Sequence, residues 1–251
     1  MAENSPVPDS ADLLMALSVI EDSLLTGLAL NRPGSEILAA LGEGGAGQGP
    51  ASHAQGGQES APASADLAGL EARAGACTAC RLASTRQHVV FGEGVAKPLV
   101  LVVGEGPGAE EDSQGLPFVG ASGKLLDRML ASIGLSRREN CYIANIVKCR
   151  PPGNREPNPD EKASCMPYLR EQIRLLAPRA ILCAGRTAAQ TLLDTTEGIN
   201  RLRSRSHLYG DIPLVATYHP SALLRDETLK RPAWEDLKSL RDILAGSGGK
   251  A

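Results

Sequence analysis

With 251 residues, 42% of them apolar, the chain can bury one substantial core, and its formal net charge of −3 conceals an uneven distribution. Residues 1–65 hold eight acids against a single base, Arg32, so that segment carries −7 and residues 66–251 carry +4, a balance compatible with a nucleic-acid partner but not by itself an indication of one. No run of eighteen or more apolar residues occurs, which argues against a membrane-spanning helix, and the opening MAENSPVPDS lacks the basic, apolar, small-residue order of a secretion signal, so a cytosolic protein without membrane attachment is expected.

In chain order, residues 11–30 have apolar side chains at helical spacing and predict an amphipathic helix. Gly, Ala, Ser and Gln then dominate from Gly42 to about Ala65, a composition that cannot pack a core and reads as a flexible linker. Residues 1–65 are therefore expected to be an N-terminal extension, whose helix docks on the body, binds a protein partner or has no function of its own. Residues 66–251 are expected to form one domain. Within it Leu67–Gly75 predicts a helix, and Leu99–Val103, Tyr142–Val147, Ala180–Ala184 and Leu214–Thr217 are short apolar runs suited to buried parallel strands. Helical patterns fall between and after them at Ser122–Ile133, Pro159–Leu176, Arg186–Leu193 and Ala233–Ala245, and Asn200–Asp211 suggests an extra hairpin or irregular strand. This alternation implies an α/β domain with a four-stranded parallel sheet covered on both faces.

The stretch Gly104–Gly120, GEGPGAEEDSQGLPFVG, sits where the first strand hands over to a helix, the position at which open α/β sheets bind ligands. Its Gly and Pro residues let backbone approach a ligand closely, Glu105, Glu110, Glu111 and Asp112 supply carboxylates, and Phe118 is one of two phenylalanines in the chain. Gly104, Gly106 and Ala109 also satisfy the pattern of a dinucleotide-binding turn. Four acids there would repel a pyrophosphate, however, and Pro107 removes an amide that would bind it, so a neutral, flat ligand is expected instead.

Six cysteines in a reducing compartment point away from disulfides. Cys77 and Cys80 form a C-x-x-C pair, and Cys149 and Cys165 bracket a proline-rich loop that a metal would help to order. Those four are candidate metal ligands, for tetrahedral zinc or an iron–sulfur cluster, between which spacing does not choose. A thioredoxin-like use of the pair would need it at the start of a helix after a strand, whereas it follows a helix. Cys141 and Cys183 fall at or within predicted strands and read as small core residues.

The motifs GEGPGAEEDSQGLPFVG, ANIVKCRPPGNREPNPDE and HPSALLR, with the four cysteines at these separations, resemble the family 4 uracil-DNA glycosylases, the bacterial and archaeal iron–sulfur type, over roughly residues 70–246. The resemblance implies a three-layer αβα sandwich around a central four-stranded parallel sheet and a [4Fe-4S] cluster on Cys77, Cys80, Cys149 and Cys165. It also implies a monofunctional, monomeric enzyme that removes uracil from single- and double-stranded DNA and so initiates base-excision repair.

Chemistry gives each motif residue a task. An enzyme that acts on a base must flip it from the stack and read its edge. Asn145 can donate to one uracil carbonyl and accept from the ring N–H, a pairing cytosine does not reproduce. Phe118 would stack on the ring, and Gly106 stands in the pocket where the best-known uracil glycosylases have an aspartate. His219, at a predicted strand end, would stabilise negative charge on uracil O2. Either Glu105 or Glu111 polarises the water, or backbone carbonyls position it and the dissociative chemistry needs little base assistance; Glu105 is expected to shape the pocket and Glu111 to support neighbouring loops. Leu223 or Leu224 would enter the space the base vacates, with Ser221 and Arg225 on flanking phosphates. Read singly, Asn145 suits a strand end, Phe118 a core, His219 a structural role and Ala222–Leu224 the first turn of a packed helix. A related branch trapped covalently on its product through a histidine in a basic insertion is disfavoured, because GNREPNPDE has no histidine. The rivals from other classes are a redox protein and a non-catalytic iron–sulfur DNA-binding or polymerase-associated module whose N-terminal helix contacts a partner. The joint presence of Asn145, Phe118 and His219 favours the enzyme.

Overall fold

The computed structural model describes residues 66–203 and 205–246, so the helix expected over residues 11–30 and the linker after it lie outside the described residues. Helix α1 (Leu67–Gly75) opens the described chain, capped by Asp66, whose carboxylate accepts from the Gly69 N–H at 2.7 Å. A 3-10 turn at Arg81–Ser84 leads to β1 (Glu93–Gly94), β2 (Val100–Gly104), α2 (Ala109–Gln114), α3 (Ala121–Ala131) and β3 (Cys141–Asn145). Then come α4 (Pro159–Leu176), β4 (Ala180–Ala184), α5 (Arg186–Leu193), α6 (Ile199–Leu202), β5 (His207–Tyr209), β6 (Ile212–Thr217), α7 (Pro220–Arg225) and α8 (Lys230–Leu244).

The strands form one sheet in the order β1-β3-β2-β4-β6-β5. The four inner strands are mutually parallel and coincide with the four predicted from apolar runs. The sheet is nevertheless six-stranded and mixed, because β1 and β5 add antiparallel edges. Strand β5 forms a hairpin with β6, turned at Gly210 in left-handed conformation (φ +59°), within the region expected to hold an irregular strand. Strand β1 is two residues long, too short to carry a pattern, and exists only through its pairing with β3.

Strands β2, β3 and β4 are buried along their whole length, which is why they read as continuous apolar runs rather than alternating ones. Leu101, Val103, Ile181 and Cys183 pack with Leu169 and Ile173 of α4 and with Ala188 and Leu192 of α5. The alternate residues Val100, Val102 and Leu182 point to the opposite face. There α8 lies against β4 and β6, and α3 contacts α7 and α8. Helix α3 buries Leu125, Leu126, Met129 and Leu130, and α8 buries Trp234, Leu237 and Leu240. Each fully buried leucine contributes about 1.5–3 kcal/mol, so the three layers are held chiefly by apolar burial. Cys141 and Cys183 belong to this core, and burial pushes the Cys141 thiol up to about 12 and that of Cys183 higher still.

The chain runs from β2 to β3 on one side and returns to β4 on the other, so the order reverses around β2. Such a reversal opens a crevice at the strand C-termini. Among the described residues no helix is long and apolar enough to cross a membrane.

Candidate active site

The crevice is built on the last residues of two paired strands. Gly104 ends β2 in register with Asn145, which ends β3. Asn145 is 2% exposed, and its side-chain Oδ1 is buried with no hydrogen-bond partner. An unsatisfied buried acceptor costs about 1–3 kcal/mol, so this oxygen is poised for a donor brought by a ligand. A Cβ at position 104 would collide with Asn145 Oδ1 and lie 2.7 Å from the Phe118 ring, so glycine there allows the amide and the ring to meet. A Cβ at Gly106 would likewise lie 2.7 Å from a Val147 methyl.

Phe118 is buried and adopts the left-handed region at φ +54°, a conformation that costs a non-glycine residue of order 1–3 kcal/mol. It persists because its neighbours determine it from two sides. Glu111 accepts the N–H groups of Val119 at 3.0 Å and Gly120 at 3.1 Å, besides that of Gly108 at 3.1 Å. Arg137 donates to the carbonyls of Pro117 at 2.9 Å and Phe118 at 3.0 Å. The Phe118 ring then stands 5.6 Å from the His219 imidazole, centroid to centroid, with 31° between the planes.

His219 caps the N-terminus of α7. Ser221 donates to its Nδ1 twice, from the backbone N–H at 3.1 Å and from Oγ at 2.8 Å, which leaves the ring proton on Nε2. Burial, aided by the Arg225 charge and opposed by Glu111, lowers the imidazole pKa to about 4. His219 is therefore a neutral Nε2–H donor at physiological pH. Gly185, at φ +107° after β4, gives the His219 side chain its place, since a Cβ there would lie 3.0 Å from His219 Cβ.

The acids of the first loop divide by what they bind. Glu111 serves the three amides above. Asp112 is buried and accepts from the Gln87 N–H at 2.9 Å, tying residues 87–88 to α2. Glu105 accepts from Thr187 Oγ1 of α5 at 2.5 Å, which bridges the loop after β2 to the helix after β4 across the point where the strand order reverses. Along α7, Leu223 is buried, whereas Leu224 is 47% exposed and Arg225 is exposed, so of the two leucines only Leu224 is on the surface. The Ser221 hydroxyl, expected on a phosphate, lies 2.8 Å from His219 Nδ1.

Sequence reading missed several residues that hold this site. Lys148 is buried, and its ammonium donates to the Asn145 carbonyl at 2.8 Å and to Gln172 Oε1 at 2.5 Å. Gln172 in turn donates to the Phe91 carbonyl at 2.9 Å. Thr187 and Arg137 act on the loop from other elements. None of these stands in a recognisable spacing, and the one available signal is the lysine inside the apolar stretch IVKC.

Cys77, Cys80, Cys149 and Cys165 come from three separated segments yet line one cavity beside α1 and α4, together with Arg86, Lys148 and Tyr168. Arg86 donates to Cys149 Sγ at 3.4 Å, and the Lys148 N–H donates to Cys165 Sγ at 3.3 Å. Burial raises both thiols, Cys165 to about 11, and these donors offset part of that cost toward the thiolate, the form in which cysteine ligates metal. Among the described residues no three His, Cys, Asp or Glu side chains gather closely enough to hold a single metal ion. The proline-rich loop between Cys149 and Cys165 has anchors of its own. Glu161 is fully buried and receives Arg155 in a two-armed pair at 2.6 and 2.8 Å, with Arg81 at 3.3 Å. The Arg155 contacts hold the Glu161 carboxyl below the usual range.

A mostly parallel α/β sheet whose strand ends present a buried amide acceptor, an aromatic ring and a neutral imidazole is the frame of a base-recognising enzyme. Residues 91–238 match the family model of the Uracil DNA glycosylase superfamily, and the chain belongs to that superfamily. Within it the chain groups with the type-4 proteins, as its three motifs imply. It is 42% identical over 176 residues to the Type-4 uracil-DNA glycosylase of Thermotoga maritima, covering 68% of this chain and 91% of that one. The type-4 enzyme of Archaeoglobus fulgidus is 41% identical over 66% of this chain and 87% of its own, and that of Sulfurisphaera tokodaii is 38% identical over 66% and 80%.

Proposed function

We propose that the crevice receives a uracil flipped out of single- or double-stranded DNA and releases it by hydrolysis of the N-glycosidic bond, the opening step of base-excision repair. The observation that carries this reading is the buried, unpaired Oδ1 of Asn145 beside the Phe118 ring. Uracil satisfies it with its ring N–H while its O4 accepts from the Asn145 amide group. Cytosine offers neither group in those positions, and a polar site left unpaired rejects it.

Phe118 stacks on the flat ring, a contact worth about 1–3 kcal/mol in nucleic-acid sites. When the C1′–N1 bond breaks, its electron pair leaves with the base and negative charge gathers on O2. The Nε2–H of His219 is the donor for that oxygen, and a neutral imidazole suits the task because it carries no buried charge in the ground state. Water then bonds to the cationic sugar carbon, and the proton it gives up passes to solvent and balances the departing uracil anion. Glu105, held by Thr187, shapes the side of the pocket from which that water comes, while Glu111 keeps the loop in place. Leu224 occupies the gap in the stack, with Arg225 on an adjacent phosphate.

Cys77, Cys80, Cys149 and Cys165, which line one cavity, would hold a [4Fe-4S] cluster, and that group when bound would tie α1, α4 and the proline-rich loop together without taking part in bond breaking. Residues 66–251 are read as the catalytic domain and residues 1–65 as an extension that supplies a protein contact. The protein is taken to act as a monomer and in the cytosol, where a reducing compartment keeps metal-binding thiols from pairing as disulfides. The test is excision from an oligonucleotide with one uracil, beside the same strand with cytosine, resolved after alkaline cleavage of abasic sites. Uracil-only cutting supports the reading. No cutting by a cluster-loaded preparation would overturn it in favour of a non-catalytic DNA-binding module.

A further inference from the structure

We infer that Arg137 is a positioning residue for Phe118, so that capture of the flipped base depends on a guanidinium that grips the aromatic residue's backbone. This rests on the reading that Phe118 stacks on uracil. Phe118 stands at φ +54°, where a side chain is strained, and rotation at that residue would swing its ring away from Asn145 and His219. Something must hold the carbonyl side of the residue, as Glu111 holds the amides that follow it. Arg137 does so with both arms of one planar fork, Nη1 on the Pro117 carbonyl at 2.9 Å and Nη2 on the Phe118 carbonyl at 3.0 Å.

The fork is itself fixed. Nη1 also meets Glu93 Oε2 of β1 at 2.7 Å, and Nε meets Asp127 Oδ1 of α3 at 2.9 Å. The Arg137 side chain is only 12% exposed, although it comes from the loop between α3 and β3. A surface ion pair would need neither carbonyl, and two carboxylates would suffice for it. Here the carboxylates aim a guanidinium whose remaining donors land on the strained residue. From the other side, a Cβ at Gly123 would collide with the same Phe118 carbonyl, so the chain leaves room for that carbonyl where Arg137 needs it. Lysine cannot reproduce the arrangement, because an ammonium is a point donor without a fork.

The experiment is a double-mutant cycle in single-turnover excision of a uracil oligonucleotide with enzyme in excess. Phe118→Ala and Arg137→Met should each slow excision, Arg137→Met by about tenfold, within the range of a lost stacking contact. The double variant should be no slower than Phe118→Ala, since without the ring there is nothing to position. Arg137→Lys should fall between wild type and Arg137→Met, and if Arg137→Met does not fold, the cycle is run with the lysine variant. Additive slowing in the double variant, or wild-type excision by Arg137→Lys, would overturn the proposal while leaving Phe118 in its role. Wild-type excision by Phe118→Ala would remove the stacking reading and the proposal with it.

Discussion

The crevice at the ends of β2 and β3 and the cysteine cavity beside α4 are joined by one residue, yet they are held in different ways. In the crevice, Asn145 sits on a central strand, Phe118 is clamped by Glu111 and Arg137, and His219 is fixed by Ser221. Its parts stand ready before any ligand arrives, and the stored cost is one unpaired oxygen and one strained residue. The cysteine cavity is lined by residues from a short turn, a loop and a helix, with ion pairs rather than strands holding the loop. Preorganisation favours chemistry, while a space ringed by thiols depends on the group it binds for much of its order. Lys148 connects the two, its ammonium on the Asn145 carbonyl and its backbone N–H on Cys165 Sγ.

The contrast is broken most directly at Asn145. Asn145→Ala should lower uracil excision by roughly 10³-fold or more while leaving the unfolding temperature close to wild type, because the lost contacts are made only with the base. Asn145→Asp should weaken uracil cutting and open a measurable activity on cytosine, whose amino group a carboxylate accepts. A rate within tenfold of wild type for the alanine variant would mean that the crevice does not read the base.

His219→Ala should cost about 10²–10³-fold in single-turnover rate, the usual effect of removing one donor to a developing oxyanion. Its titration gives a second readout. The folded imidazole protonates near 4 and a free histidine near 6.5, so the unfolded chain takes up a proton over that interval that the folded chain does not. Stability from this group is therefore complete above about pH 6.5 and is lost as pH falls toward 4. His219→Gln should reduce the drop in unfolding temperature between pH 7 and pH 5. A variant with the same drop as wild type would place the acid sensitivity elsewhere.

In the cysteine cavity the balance reverses. Cys149→Ala should abolish iron content and the visible absorbance of a cluster and lower the unfolding temperature by about 10 °C or more, with excision falling mainly as folded protein is lost. A variant that kept its iron would remove Cys149 from the ligand set. Lys148→Met, the smallest effect, should slow excision by about tenfold and also weaken cluster retention, since it frees the Asn145 carbonyl and removes the positive charge beside Cys149 and Cys165, while the backbone N–H to Cys165 Sγ stays. Loss of one property without the other would show that the two regions are independent.

The four inner strands, and helices α1, α4 and α5 to the residue, are legible as apolar runs and helical periodicities because burial on both sheet faces and one helix face imposes them locally. Asn145, Phe118 and His219 are legible because they stand in motifs at strand ends. Strand β1 and the short helix α2 were not, since two to six residues carry no period. Nor did spacing distinguish Leu223 from Leu224, which packing separates into one buried and one exposed side chain.

What the chain determined by itself was the order of strands and helices, the motifs at the strand ends and the four cysteines. Tertiary structure alone decided which acid serves backbone amides and which bridges to Thr187, where Lys148 reaches, and that Arg137 grips Phe118. The Arg137–Phe118 and Glu105–Thr187 contacts join residues 19 and 82 positions apart, beyond any local pattern. A polar group's role depends on which partners the fold leaves within reach once water is excluded, and that is settled only when the layers close.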